Sequence, residues 1–149
     1  MAHVILVDTN VWIALTLHRH QFHRIVTDWS EQLPRQSTLL FCRATQQSFL
    51  RLLTTEHIMA RYTHPAMTNH KAWQIMEAYL ANPHIKFVDE PANLAAQWKN
   101  LVVRQTASPK LWMDAYLAAF AIAGNHEFVT TDSAFAQFPK LTATILTKL

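Results

Sequence analysis

The sequence predicts an α/β domain, and three observations carry that expectation. Short apolar runs alternate with longer segments of helical periodicity. The first and fourth runs are apolar at successive positions rather than at every second one, the pattern of strands covered on both faces. Several of the runs end in an acid, at the point where a strand passes into a helix or turn. With 149 residues, half of them hydrophobic and 15% charged, the chain is expected to form one globular domain, residues 1–149.

The first run, Val4 to Val7, stops at Asp8-Thr9-Asn10, and a second apolar stretch follows at once. Thr9 or Asn10 can cap a helix there, because its side-chain oxygen accepts a free backbone N–H. Asp8 stands where open α/β sheets build their sites, and satisfying the turn is the other role open to it. His18, His20 and His23 come next. They lack the His-Glu-x-x-His or Cys/His spacing of a zinc site, so solvated histidines are the default, with a phosphate-facing patch as the alternative. Phe22, Ile25, Val26, Trp29 and Leu33 mark an amphipathic helix ended by Pro34, and Thr38 to Phe41 is a second strand.

From Ala44 the period is helical again, with Phe49, Leu50 and Leu53 on one face. Gln46 points toward that side and Gln47 away from it. Gln46 either shares a crevice with Asp8 or is hydrogen-bonded at the core margin. Residues 55 to 67 are expected as a loop or broken helix. Ala72, Trp73, Met76, Tyr79 and Leu80 form the next stripe. Trp29, Trp73 and Tyr79 make these stripes richer in aromatics than a small core needs, which suits a homodimer contact. Ile85 to Val88 is the third strand. Asp89-Glu90 follows it and suits the positive start of the helix carrying Leu94, Ala95, Trp98, Leu101 and Val102.

Ser108-Pro109 has the signature of a helix start. From Leu111 to Ala123 every residue except Asp114 is apolar or aromatic, and Gly124 supplies the left-handed terminator. Such a helix is expected to be buried on all sides, which makes an internal carboxylate costly unless it is paired or metal-bound. Lys110 is the only base near Asp114 in sequence. A site and an ion pair with Lys110 or Arg51 are the two readings. Phe128 to Thr131 is a further strand, ending in Asp132. Ser133 to Phe138 is a turn or short helix, and Thr142 to Leu146 is the last strand.

Composition excludes more than it selects. The lone glycine leaves no Walker loop, no dinucleotide fingerprint and no Gly-x-Ser-x-Gly elbow. Cys42, the only cysteine, excludes an internal disulfide, fits a reducing compartment and is expected to be a buried, inert thiol. No secretory leader is visible, and the apolar run at 111–123 is too short for a membrane span. A net charge of +3 leans toward an anionic partner. Asp8, Asp114 and Asp132 in apolar settings ask for a cation if they pack together. Carboxylate oxygens suit Mg²⁺ or Mn²⁺, and that chemistry beside a basic surface points to phosphodiester hydrolysis.

Val-Asp-Thr-Asn at 7–10, Phe-Leu-Arg-Leu-Leu-Thr at 49–54, Asp-Ala-Tyr-Leu-Ala-Ala at 114–119 and Val-Thr-Thr-Asp at 129–132, in that order, resemble PIN-domain ribonucleases, and more closely the VapC toxins of bacterial toxin–antitoxin pairs. The resemblance spans nearly the whole chain. It implies a central parallel sheet flanked by helices, a cytoplasmic Mg²⁺- or Mn²⁺-dependent endoribonuclease, a homodimer and a neutralising VapB-like antitoxin. By position it assigns Asp8, Asp114 and Asp132 to the metal, with Asn10 and Thr131 beside them. The family's Glu, five residues before the Arg matched by Arg51, is here Gln46, which removes one negative charge and leaves one metal or two open. Two other classes stand beside this one. A haloacid-dehalogenase-type phosphatase also begins with a strand and Asp, but wants a second Asp where this chain has Asn10. A non-catalytic RNA-binding or interaction module is the other.

Overall fold

The computed structural model describes residues 2–148. Its strands are β1 (Val4–Val7), β2 (Thr38–Phe41), β3 (Ile85–Phe87), β4 (Glu127–Thr130) and β5 (Ala143–Ile145). Its helices are α1 (Thr9–Thr16), α2 (His23–Glu31), α3 (Arg43–Leu53), α4 (Glu56–Ala60), α5 (Asn69–Ala81), α6 (Leu94–Val102) and α7 (Leu111–Gly124), with a 3-10 turn over Ser133–Gln137. The strands form one sheet in the order β3-β2-β1-β4-β5, and every neighbouring pair is parallel.

Successive strand side chains go to opposite layers, as the two-residue period requires. Ile5, Val7, Phe41 and Val129 pack under α1, α2, α3 and α5. Leu6, Leu40 and Phe128 pack against α6, α7 and the 3-10 turn. Burial on both faces is why these runs lack polar alternation. The first layer centres on Trp12, whose ring lies 3.8 Å from that of Phe41 at 7° and 5.1 Å from that of Tyr79. Among the described residues no helix is long and apolar enough to cross a membrane.

The strands fall where expected, but several boundaries differ for physical reasons. Asp8 itself caps α1, its Oδ1 accepting the Thr9 N–H at 2.8 Å, so Thr9 and Asn10 lie inside the first turn. The break at 55–67 contains the short α4. α7 starts at Leu111, not at Ser108-Pro109, and Lys110 precedes it with no side-chain cap. The Ser108 hydroxyl is instead 3.2 Å from that of Thr106. Glu90 does not cap α6. Its carboxylate accepts the Tyr116 hydroxyl at 2.7 Å and so ties the start of α6 to α7.

α7 is not buried all round. Its first turn buries Leu111 but leaves Trp112 54% and Met113 66% exposed. Gly124 is the last helical residue, and the left-handed residue is Asn125, at φ 55°. Glycine at 124 has another use: a Cβ there would lie 2.5 Å from the His126 ring, which would have to move. Asn tolerates left-handed backbone at a cost that glycine avoids. Asn125→Gly should therefore raise stability by up to ~1 kcal/mol, and Asn125→Val should lower it by at least that much. Urea melts of the two variants beside the parent check the order.

Candidate active site

The site forms at the carboxyl ends of β1 and β4, which are neighbours in the sheet although more than a hundred residues separate them in the chain. The chain runs from β1 to β2 on one side and meets β4 on the other, the arrangement that opens a crevice in a parallel sheet. The Asp8 N–H continues the ladder, donating to the Val129 carbonyl at 3.0 Å.

One hydroxyl links the parts. Thr130 is fully buried, and its Oγ1 donates to Asp8 Oδ2 at 2.7 Å. The same oxygen accepts the Asp132 N–H at 3.0 Å and the Asn10 side-chain amide at 3.4 Å. Asn10 Oδ1 accepts the Thr131 N–H at 3.2 Å. Asn10 and Thr131 thus lie beside Asp8 and stitch the start of α1 to the end of β4. Thr130 was not singled out by sequence pattern, since a Thr inside an apolar strand looks like any β-branched strand residue.

The three acids have different surroundings. Asp8 is 8% exposed, Asp114 is half-buried and Asp132 is exposed, with its Oδ1 capping the 3-10 turn through the Ala134 N–H at 2.9 Å. Burial is the main force on Asp8 and pushes its carboxyl up to about 6; the Thr130 and Thr9 hydrogen bonds pull the other way, and the charges of Asp114 and Asp132 push it up further. Asp114 is also shifted upward, by burial and then by Asp132. The charge of Asp132 thus reaches both Asp8 and Asp114, and that of Asp114 reaches Asp8. No base forms an ion pair with any of them among the described residues, so the pairing of Asp114 with Lys110 or Arg51 is absent. Asp114 and Asp132 line a cleft of about 530 Å³ together with Arg104, Lys110 and Gln137.

Gln46 and Arg51 are not brought to this group. Gln46 is buried, with Oε1 accepting from Arg43 at 2.7 Å and Nε2 3.7 Å from the Met76 sulfur, so its amide is occupied on the α5 side. The core-margin role fits it. Gln46 follows Phe49 toward the core, and the turn of α3 nearer the crevice presents Thr45 and Ser48 instead. Those two line a second, apolar cavity of about 390 Å³ with Thr9, Trp98, Trp112, Met113 and Tyr116. Arg51 is exposed, beside Thr54, Asn69 and Trp73. Cys42 is buried, and burial pushes its thiol up, which suits an inert side chain. The histidines pack among themselves and with aromatics: His18 stacks on His23 at 4.7 Å, and His20 on Tyr62 at 4.6 Å.

Hard oxygen donors, mutual repulsion and the absence of a basic partner fit a divalent cation such as Mg²⁺ or Mn²⁺. Among the described residues no three His, Cys, Asp or Glu side chains are grouped closely enough to hold a metal ion between them. In the metal-free protein Asp8 sets a pH dependence. The folded state keeps this proton to about 6, whereas the unfolded chain loses it near 3.8. Stability should fall as pH rises between those values, by on the order of 3 kcal/mol at most from this group. Asp8→Asn should flatten that slope, read from chemical denaturation in EDTA at pH 4 and pH 7.

Comparison with known proteins agrees with the fold. The PIN-domain family profile matches residues 5–141. The chain is 45% identical over 146 residues to ribonuclease VapC41 of Mycobacterium tuberculosis, covering 97% of this chain and 100% of that protein. Two solved complexes share the fold: VapBC2 of Rickettsia felis bound to a promoter DNA fragment (TM-score 0.67, 13% identity, 96% of this chain and 98% of that one) and VapBC-1 of nontypeable Haemophilus influenzae (TM-score 0.68, 14% identity, 95% and 97%). A third is Mycobacterium tuberculosis VapC20, a toxin that cleaves the sarcin–ricin loop (TM-score 0.64, 18% identity, 89% and 93%). With this profile over most of its length and a near full-length relative at this identity, the chain belongs to the PIN-domain family, among its VapC ribonucleases.

Proposed function

We propose that this protein is an endoribonuclease and the toxin of a toxin–antitoxin pair, acting on RNA in the cytoplasm with Mg²⁺ or Mn²⁺ held by Asp8, Asp114 and Asp132. The observation that carries this is a buried carboxylate, Asp8, at the crevice of a parallel sheet, within reach of the charges of Asp114 and Asp132, with none of the three ion-paired among the described residues. A bound divalent cation supplies an activated water and neutralises charge on the phosphate. The protein's own part is positioning. Thr130 and the Thr9 N–H hold Asp8 in one orientation, α7 presents Asp114 from its first turn, and the 3-10 turn fixes Asp132. Asn10 spends its amide on Thr130 and Thr131, which speaks against the second acid a dehalogenase-type phosphatase wants there.

Partners follow from exposed apolar surface. Trp73 is 54% and Leu80 37% exposed, seven residues apart on one face of α5, and we assign that face to a homodimer. Trp29 and Tyr79 are not available for it, since both pack against the core. The apolar cavity under Trp112 and Met113 suits an apolar side chain of a VapB-like antitoxin, a partner in keeping with the VapBC complexes that share the fold.

Purified protein should cut single-stranded or looped RNA in Mg²⁺ or Mn²⁺ and stop in EDTA; undiminished cleavage in EDTA removes the metal from the proposal. Asp114→Asn should lower cleavage by at least ~100-fold through loss of an anionic ligand. It should melt no lower than the parent without metal, because no base is stranded, and should gain less stability from added Mg²⁺. A folded, metal-responsive and fully active Asp114→Asn protein sinks the assignment. For the dimer, light scattering at micromolar concentration should give twice the chain mass, and Trp73→Glu should halve it.

A further inference from the structure

The cleft beside the carboxylates holds charges of both signs that do not neutralise each other. Arg104, Lys110, Asp114 and Asp132 all line it. Among the described residues neither base makes an ion pair or a side-chain hydrogen bond, although opposite charges in a shared cavity ordinarily close on one another. Both bases belong to the segment that joins α6 to α7. Arg104 follows the end of α6, where the Val103 N–H still donates to the Lys99 carbonyl, and Lys110 is the residue immediately before α7. The two bases are therefore held at the ends of an eight-residue connection (103–110) whose feet rest on two packed helices. The cleft that these bases line with the acids has a volume of about 530 Å³, room enough for a chain segment to enter.

We infer that Arg104 and Lys110 form a seat for an RNA phosphate next to the scissile one, so that the strand enters along the 103–110 connection and reaches the carboxylates at Asp114. This rests on the ribonuclease reading above and specifies how substrate is held for it. The chemistry fits the ligand. A guanidinium fork matches two non-bridging phosphate oxygens, and an ammonium adds a point charge. The first N–H groups of α7 face the same end with no side-chain cap, so they add to the positive potential rather than oppose it. The acids alone would repel the polyanion. Two unpaired cations at the cleft's rim give the backbone a path to a negatively charged centre. Arg104 and Lys110 are positioning residues on this account, since they hold substrate and touch no reacting atom.

The test uses full-length protein and a short fluorescein-labelled single-stranded RNA. Cleavage by Arg104→Gln and Lys110→Gln should show KM raised by about tenfold each, with the loss falling mainly on KM. The plot of log(kcat/KM) against log[salt] should become shallower by about 0.7 for each cation removed. Arg104→Lys should restore the slope and only part of the affinity. Arg24→Gln, which removes an exposed charge paired with Asp28, should leave the slope as it is. Melting temperature and Mg²⁺-induced stabilisation should stay at parental values in the Arg104 and Lys110 variants, which a merely structural role for these residues does not predict. Binding is read separately by anisotropy in an Asp114→Asn background. Parental affinity and an unchanged salt slope in both Gln variants overturn the phosphate seat while leaving the ribonuclease intact. Binding that depends on Arg104 and Lys110, in a protein whose parent form never cleaves, keeps the seat and overturns the ribonuclease reading.

Discussion

A carboxylate that is 8% exposed at the end of a sheet strand is the constraint around which this molecule is arranged. Burial disfavours the charged form of Asp8, and two neighbouring acids add to the penalty. The protein answers with hydrogen bonds rather than with a base. The Thr130 hydroxyl donates to one carboxylate oxygen, and the Thr9 N–H donates to the other. Because Thr130 also accepts from Asp132 and Asn10, the bond that tames Asp8 sets the path of the chain after β4. A cationic side chain in that place would have neutralised the carboxylate. Hydroxyl and amide partners orient the charge and leave it available.

The parallel β1–β4 pairing makes this possible. Parallel neighbours present their carboxyl ends at the same edge, so Asp8 and the turn leading to Asp132 share one side of the sheet. α7 completes the group from above. Leu111 anchors its first turn in the core, as Ala115, Ala118 and Ala119 anchor the turns that follow, and the half-buried Asp114 lies at the boundary between core and solvent. Trp112 and Met113, on the same turn, are exposed, where a partner rather than the core can cover them.

Much of the fold was legible in the linear chain, because burial on both sheet faces makes strands apolar at successive positions and helices periodic. Asp8, Asp114 and Asp132 stood out because acids are rare in such surroundings. The boundaries were less legible. Ser108-Pro109 looks like a helix start, yet the backbone turns two residues later; Gly124 looks like a left-handed terminator, yet Asn125 takes that conformation and Gly124 makes room for His126. Local signals of this kind name a neighbourhood, and packing chooses the residue. Gln46 shows the same limit at the site. Helical periodicity placed it correctly on the buried side, but a face is not a contact, and Arg43 and Met76 hold its amide.

By itself the sequence determined the α/β class and the order of the elements, and it marked three acids as candidates, since these depend on periodicity, composition and the rarity of acids in apolar runs. Only the tertiary structure decided which groups surround those acids. Thr130 carries no signal in a β-branched strand until β4 is laid beside β1. The lack of an ion pair to Asp114 among the described residues, and the gathering of Arg104, Lys110, Asp114 and Asp132 around one cleft, are likewise matters of how the segments pack. Periodicity fixes the direction in which a side chain leaves its own element. What it meets there depends on how the elements pack.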